Sequence, residues 1–318
     1  MARPWSSWRW ASSFFLLMTC ANICTRTSPA QSQEKQLDLT PAEVKLYQQA
    51  STLIGWVPAE VRVRPELRNL RPEESQRDLP MILRKVGEGV AGFFVNFPNT
   101  TCTESVQSQI CSAWTRHCKM IFKDDFRYLL LVHSMQGARA LDEYRTDAQG
   151  NTIDYRRLTE PPVLTYQFTA ATLYFHPRFQ KASLFRYFGR QALDGQETEV
   201  VGFAQIPENS PPVTWFQNGD KTARLLVQGL VWIDPASSEI VRIQTDLLAP
   251  RPDVGLIREH SVIDFSAVHL SETSATYFLP TKIAVDIKVS GQHYRNTHVY
   301  SDFKLFRVES HIGPAPQR

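Results

Sequence analysis

From residue 120 onward the chain offers one β-hairpin after another, with no helical pattern between them. Phe126 to His133 is aromatic and aliphatic, Ser134 to Gly137 is turn-like, and Ala140 to Thr146 returns. Leu184 to Gln191 and Thr198 to Ile206 flank Asp194-Gly195, a dipeptide suited to a two-residue hairpin turn. Set in register around that turn, Arg190 falls opposite Glu199 and Tyr187 opposite Gly202. Leu225 to Ile233 and Ile240 to Leu247 flank Asp234-Pro235-Ala236-Ser237-Ser238, and Val262 to Leu270 supplies a further strand. Lys282 to Val289 places Ile283, Val285, Ile287 and Val289 on one face. Ser290-Gly291-Gln292 turns it and Tyr294 to Val308 returns. Consecutive hairpins of this kind imply a large antiparallel sheet, since a parallel one needs crossovers.

Helical signals are confined to the N-terminal third. Thr40-Pro41-Ala42-Glu43 is a capping box with proline at the first helical position, followed by Val44, Tyr47, Ser51 and Ile54. Val57 to Asp78 carries Pro58, Pro65 and Pro72 among many charges and reads as a connector with a short strand at Val61–Val63. Ile82, Val86, Val90, Phe93, Phe94 and Phe97 recur at spacings of three and four until Pro98, which predicts a second helix. Its glycines, Gly87, Gly89 and Gly92, are expected to let it pack closely on a sheet.

Residues 1–30 combine Arg3, Arg9 and Arg26, no acidic residue, the short apolar stretch Phe14 to Met18, and the small-residue exit Ser28-Pro29-Ala30. This is the pattern of a secretory signal peptide, cleaved after Ala30. Leu17-Met18-Thr19-Cys20 resembles a lipoprotein box, but Thr19 stands where a smaller residue belongs, so lipidation of Cys20 is not expected. The full chain has 35 basic and 32 acidic residues; losing three arginines leaves 32 of each. No basic excess survives for nucleic acid, and no apolar run is long enough to span a bilayer.

Cys102, Cys111 and Cys118 then remain, in no metal or redox spacing. An oxidising compartment allows one intrachain disulfide, expected between Cys111 and Cys118 if Ser112–His117 turns. The alternative is a reactive Cys118 beside His117. The histidines form no metal pattern, and His293 and His298 have opposite strand parity. Asp147, Asn151 and Asp154 around Gly150 lack calcium-loop spacing and read as a turn. Neither metal nor cofactor is expected. Asp142, Glu143 and Glu199 are the candidates for a carboxylate pair, should the chain be a carbohydrate-active hydrolase.

Several strands are apolar on both faces, where a sheet with one wet face alternates. Either a second layer or an apolar ligand must cover the extra face. Phe185, Tyr187, Val200, Phe203 and Trp232 are the candidate lining of a ligand groove.

Gly229-Leu230-Val231-Trp232-Ile233-Asp234-Pro235 with Ile240-Val241-Arg242-Ile243 resembles a hairpin of the periplasmic lipoprotein carrier and insertion family. Phe278-Leu279-Pro280-Thr281-Lys282-Ile283 and Tyr300-Ser301-Asp302-Phe303 are similar to its closing strands. The resemblance spans Tyr128 to Val308 and extends to a set of uncharacterised secreted bacterial proteins. It implies a half-open β-barrel wrapped around helix, with an apolar cavity for acyl chains. The expected organisation is a leader over 1–30, N-terminal helices and connector over 31–98, and an antiparallel β domain over 99–318. The expected function is non-enzymatic binding of a lipid or other hydrophobic ligand in a Gram-negative periplasm or outside the cell. An envelope scaffold or sensor with a protein partner is the first alternative and a hydrolase the second. N-terminal sequencing of the exported protein is expected to read from Gln31; retention of Trp8 and Trp10 contradicts the leader.

Overall fold

The computed structural model of the chain describes residues 8–9, 38–112, 117–135, 138–151, 170–210, 214–218, 221–270, 273 and 275–306. The expected leader apart from Trp8–Arg9, with Cys20 and the Ala30–Gln31 junction, lies outside the described residues, as do Asp154 and Val308.

The strands in chain order are β1 (Trp8–Arg9), β2 (Arg71–Pro72), β3 (Thr100–Cys111), β4 (Cys118–Met135) and β5 (Ala138–Thr146). They continue as β6 (Ser183–Leu193), β7 (Gln196–Gln205), β8 (Trp215–Asn218), β9 (Lys221–Arg224) and β10 (Val227–Ile233). The last are β11 (Ile240–Leu247), β12 (Leu256–His269), β13 (Thr276–Val289) and β14 (Gln292–Leu305). Eleven of them form one antiparallel sheet, ordered β2-β6-β7-β10-β11-β12-β13-β14-β3-β4-β5; it does not close. The ribbon β1-β8-β9 stands apart. The fold is therefore mainly β, a half-open curved sheet with few helices.

Bulges, which bend strands and raise their twist, recur along the sheet. Val241 is the extra residue between β10 and β11, and Thr281 between β12 and β13. The latter accommodates Pro280, which has no N–H for a regular central ladder. β14 slips against β3 between Ser301 and Lys304, where Asp302 adopts a φ of 56°.

Among the described residues three α-helices precede β3: α1 (Pro41–Gln48), α2 (Pro58–Arg62) and α3 (Leu79–Asn96). α1 carries the expected capping box, with Glu43 accepting from the Thr40 N–H at 2.7 Å. Arg251, itself 2% exposed, ties α1 to the sheet by donating to Tyr47 Oη, the Arg224 carbonyl, Glu43 and Asp253. The connector differs from expectation: Val61 lies in a helix, because Pro58 presets the first turn and Glu60 accepts from the Val57 N–H at 2.9 Å.

α3 lies in the sheet's hollow, with Ile82, Val86, Val90 and the following Phe97 in one core with Val201, Val231, Ile243, Ile263 and Ile283. A 3-10 segment, Ala170–Phe175, fills the same hollow; Tyr174 stacks on Phe203 at 5.1 Å. The glycines of α3 are not equivalent. A Cβ on Gly87 would lie 2.7 Å from Gln180 Nε2 and 3.1 Å from the Phe175 carbonyl, so the close approach is to irregular chain and not to a sheet. Gln180 Nε2 donates to the carbonyls of Leu83 and Phe175, both at 2.8 Å, clamping the two segments. A Cβ on Gly89 or Gly92 would meet nothing within 4 Å.

Gly87→Ala is expected to destabilise the protein by about 1–3 kcal/mol through overpacking. Gly89→Ala is expected to stabilise it by up to about 1 kcal/mol through helix propensity. Urea unfolding of the two variants reads the difference in sign.

Candidate functional site

A groove of about 430 Å³ opens between α3 and the ends of β12 and β13. One wall is the α3 face Val86, Gly89, Val90, Gly92, Phe93 and Asn96; the other is Phe265 with Ala275, Thr276, Tyr277, Phe278 and Pro280. Ser238, Glu239 and Ile240, with Thr172, complete the lining. The bulges at Val241 and Thr281 each adjoin a lining residue, Ile240 and Pro280. Its apolar side is aromatic: Phe93 stacks on Phe97 at 4.6 Å, and Tyr277 meets Phe97 edge-on at 5.4 Å. Tyr277 Oη donates to the Asn96 carbonyl at 3.1 Å, holding the helix end against β13.

The β10–β11 turn sets the one carboxylate among the described residues of the groove. The Asp234 side chain accepts from the Ala236 N–H at 2.9 Å and from Ser237 Oγ at 3.0 Å. Ser238 takes a left-handed φ of 62° and its N–H donates to the Asp234 carbonyl at 2.8 Å. The chain thereby reverses and puts Glu239 on the groove lining. Burial first, then the Asp234 carboxylate, pushes the Glu239 carboxyl above its ordinary range.

The five residues singled out in the sequence fall on two faces. Phe185, Tyr187 and Phe203 face the hollow, where Phe203 packs on Tyr174 and Phe175, and Phe185 lies 5.6 Å from the Phe175 ring. Val200 and Trp232 face outward and are buried with Phe188 and Leu230 under Leu53, Val61 and Leu67. Trp232 Nε1 donates to Gln191 Oε1 at 2.8 Å, and Gln191 Nε2 donates to the Glu66 and Arg68 carbonyls. The second apolar face of these strands is thus covered by the chain's own N-terminal segment. The expected pairing of Tyr187 with Gly202 is corrected. Arg190 does pair with Glu199, but a bulge at Phe188 shifts the register, so Tyr187 pairs with Val201 and Arg186 with Gly202. The space over Gly202 is filled, since a Cβ there would lie 2.4 Å from Leu53 and 2.5 Å from Phe188.

Of the residues lining the groove, Val86, Val90 and Phe93 were marked by helical spacing, and Ile240, Phe278 and Pro280 fell in the segments that resemble the carrier family. Glu239 carried no sequence signal.

A second constellation occupies the hollow between β3, β5 and β14. Glu104 is fully buried and accepts from Arg145 Nη2 at 2.7 Å and Tyr300 Oη at 2.9 Å, with His298 Nδ1 at 2.8 Å. Tyr128 Oη donates to Glu143 at 2.6 Å, and the Arg145 guanidinium lies over the Tyr128 ring. Burial alone would raise the Glu104 carboxyl; the Arg145 charge and the hydrogen bonds from His298 and Arg145 outweigh it and hold the group down at about 2. A carboxylate so saturated and enclosed is a fixed anion, unsuited to proton transfer near neutrality. Beside it, Ser108 Oγ, the Asn296 amide and His298 Nε2 are buried with no hydrogen-bond partner among the described residues.

The candidate hydrolase carboxylates have separate partners. Asp142 lies 3.3 Å from His133, Glu143 accepts from Tyr128, and Glu199 lies 3.7 Å from Arg190. β5 and β7 stand far apart in the sheet order, which keeps Glu143 away from Glu199. Asp147 spends its carboxylate on the Gln149 N–H and on Asn151, as a turn residue does. Cys111 and Cys118 are register partners joined by a disulfide, and Cys102 is a buried thiol that burial pushes far up. Among the described residues, no group of three or more His, Cys, Asp or Glu is placed to hold a metal ion. No helix among them is long and apolar enough to cross a membrane.

Fold and groove together define a half-open antiparallel sheet wrapped around a helix. No protein family and no curated protein matches the sequence. Among solved structures, the chain is similar to an outer membrane lipoprotein-sorting protein domain from Vibrio parahaemolyticus, with 12% identity and a TM-score of 0.34 over 70% of this chain and 90% of that one. It is also similar to a DUF1329 family protein from Desulfovibrio piger, with 7% identity and a TM-score of 0.38 over 73% of this chain and 94% of that one.

The hollow carries two carboxyls of opposite behaviour. Glu104, held near 2 against an ordinary 4.5, stabilises the fold above about pH 4.5, and that contribution is lost as pH falls toward 2. Glu259, fully enclosed beside Ser261, is pushed by burial up to about 7, so its contribution is present below about pH 4.5 and is lost as pH rises through 7. Glu259→Gln is therefore expected to stabilise the protein by roughly 1–3 kcal/mol at about pH 8 and little at about pH 5. Glu104→Gln is expected to cost about 3–5 kcal/mol at neutral pH by stranding the Arg145 charge. Urea unfolding across pH checks both.

Proposed function

We propose that this is an exported, non-enzymatic protein that holds an acyl chain or similar hydrophobic ligand in the groove between α3 and the ends of β12 and β13. The observation that carries this is the groove itself: about 430 Å³, lined by Val86, Val90, Phe93, Ile240, Phe265 and Phe278. That volume is within the ordinary range for small-molecule sites. About ten buried methylenes contribute on the order of 8 kcal/mol gross. Ordering costs subtract several of these, so micromolar binding needs no strong polar contact. The glycines on α3 support the reading, because Gly89 and Gly92 lower helix propensity while leaving their side of the groove open. The leader pattern of residues 1–30 supports a periplasmic or extracellular location.

The test is saturable binding of an uncharged fluorescent long-chain alcohol, in the wild type and in Gly92→Leu. Gly92 lines the groove, and a Cβ added there meets nothing within 4 Å. Micromolar binding by the wild type, weakened about tenfold or more in a Gly92→Leu protein of undiminished stability, is the expected result. A wild type that binds no alcohol overturns the proposal and favours a scaffold that docks another protein.

A further inference from the structure

The groove's polarity is as particular as its shape. Among the described residues that line it, Glu239 is the one carboxyl; the remaining polar side chains are the amide of Asn96 and the hydroxyls of Thr172, Ser238, Thr276 and Tyr277. The side-chain amide of Asn96 is engaged with the Gly92 carbonyl at 2.9 Å. The nearest charge acting on Glu239 is a second carboxylate, Asp234, and its oxygens are committed to the turn. Among the described residues no cation acts on Glu239, and its carboxylate enters no hydrogen bond or ion pair. Glu88, on α3, is matched by Arg84 at 2.8 Å and does not line the groove. A half-buried negative charge at the side of an apolar slot, with no positive partner, lies in a medium where charges interact more strongly than in water.

We infer that the groove selects amphiphiles whose polar end is a cationic amine over those ending in carboxylate or phosphate, with Glu239 as the residue that makes the selection. This deepens the ligand-binding reading of the same groove and rests on it. The apolar chain lies between Phe93, Phe265 and Phe278, and its ammonium end meets the Glu239 carboxylate, exchanging an unpaired buried anion for an ion pair. An anionic end placed there faces Glu239 and Asp234 with no cation to offset them, and is disfavoured by like-charge repulsion. The burial that raises the Glu239 carboxyl is the same desolvation that a bound ammonium offsets. Glutamine at this position has the same shape and no charge, and the carboxylate it replaces has no partner to lose, so the fold is preserved.

The experiment uses three dodecyl compounds, the amine, the alcohol and the carboxylate, each below its aggregation concentration and competing against the fluorescent alcohol on the full-length mature protein. In the wild type the amine is expected to bind about tenfold tighter than the carboxylate, with the alcohol between them. Glu239→Gln is expected to abolish that difference; Glu239→Lys is expected to reverse it. Raising the salt concentration is expected to shrink the wild-type preference. Equal affinities for amine and carboxylate, or a preference that survives Glu239→Gln, overturn the inference while alcohol binding keeps the groove intact. Absence of alcohol binding overturns the groove reading and the inference together. Unfolding midpoints of both variants that match the wild type exclude a folding artefact.

Discussion

An eleven-stranded sheet that curves without closing has a hollow its own side chains do not fill, and here α3 and the 3-10 segment Ala170–Phe175 supply the filling. Apolar surface in that hollow is stable only when something excludes water from it. At Gly87 the helix is pressed against the 3-10 segment and clamped by Gln180. At its other end the helix is held to β13 by the hydrogen bond from Tyr277 to the Asn96 carbonyl and by Phe97 against the Tyr277 ring. Between these two attachments, Gly89 and Gly92 leave space beside the helix. The groove is the part of the hollow that the filling does not reach.

The outer face of the sheet is managed differently. Over β6, β7 and β10 it is apolar and is roofed by residues 53–67, which dock through Leu53, Val61 and Leu67. Polar side chains pin that roof by hydrogen bonds to its backbone: Gln228 accepts from the Leu53 N–H, while Gln191 and Arg186 donate to its carbonyls. Backbone in such a roof has no ladder partners and needs these side chains to satisfy it. Over β3 and β14 the outward residues are Thr101, Thr103, Ser105 and Gln107 against Ser301 and Thr297, an ordinary wet surface. The sheet is thus buried on both faces over β6, β7 and β10 and wet on its outer face over β3 and β14.

Inside, the β3 edge of the hollow holds ion pairs and hydrogen bonds in place of an apolar seal. Glu104 collects Arg145, Tyr300 and His298, so that burial of its charge is offset by one full counter-charge and several donors. Such a network costs more to break than it contributes over an apolar equivalent, and it ties β3, β5 and β14 to a single arrangement. Beside it, the buried polar atoms of Ser108 and Asn296, which face each other across the β3–β14 pair, keep this part of the hollow unlike the aromatic groove at the other end.

Much of the architecture was legible residue by residue, because it depends on local rules. Period-two alternation and turn chemistry place β6, β7, β10, β11, β13 and β14, and the capping box and three-four spacing place α1 and α3. β3 was not legible: Thr100, Cys102, Glu104, Val106 and Ser108 alternate correctly, but their inward face is largely polar, and periodicity detects burial only through apolar residues. Nor was the face on which Tyr187 and Val200 lie, since one extra residue at Phe188 exchanges the faces and no local signal announces it. The site was the least legible part. Its walls come from α3, β12, β13 and the β10–β11 turn, which are far apart in the chain. The sequence by itself determined most of the strands and the two longer helices, because backbone preference and side-chain spacing act over a few residues. Tertiary structure alone decided which apolar faces the chain covers for itself and where a groove is left, because that depends on contacts between segments far apart in the chain.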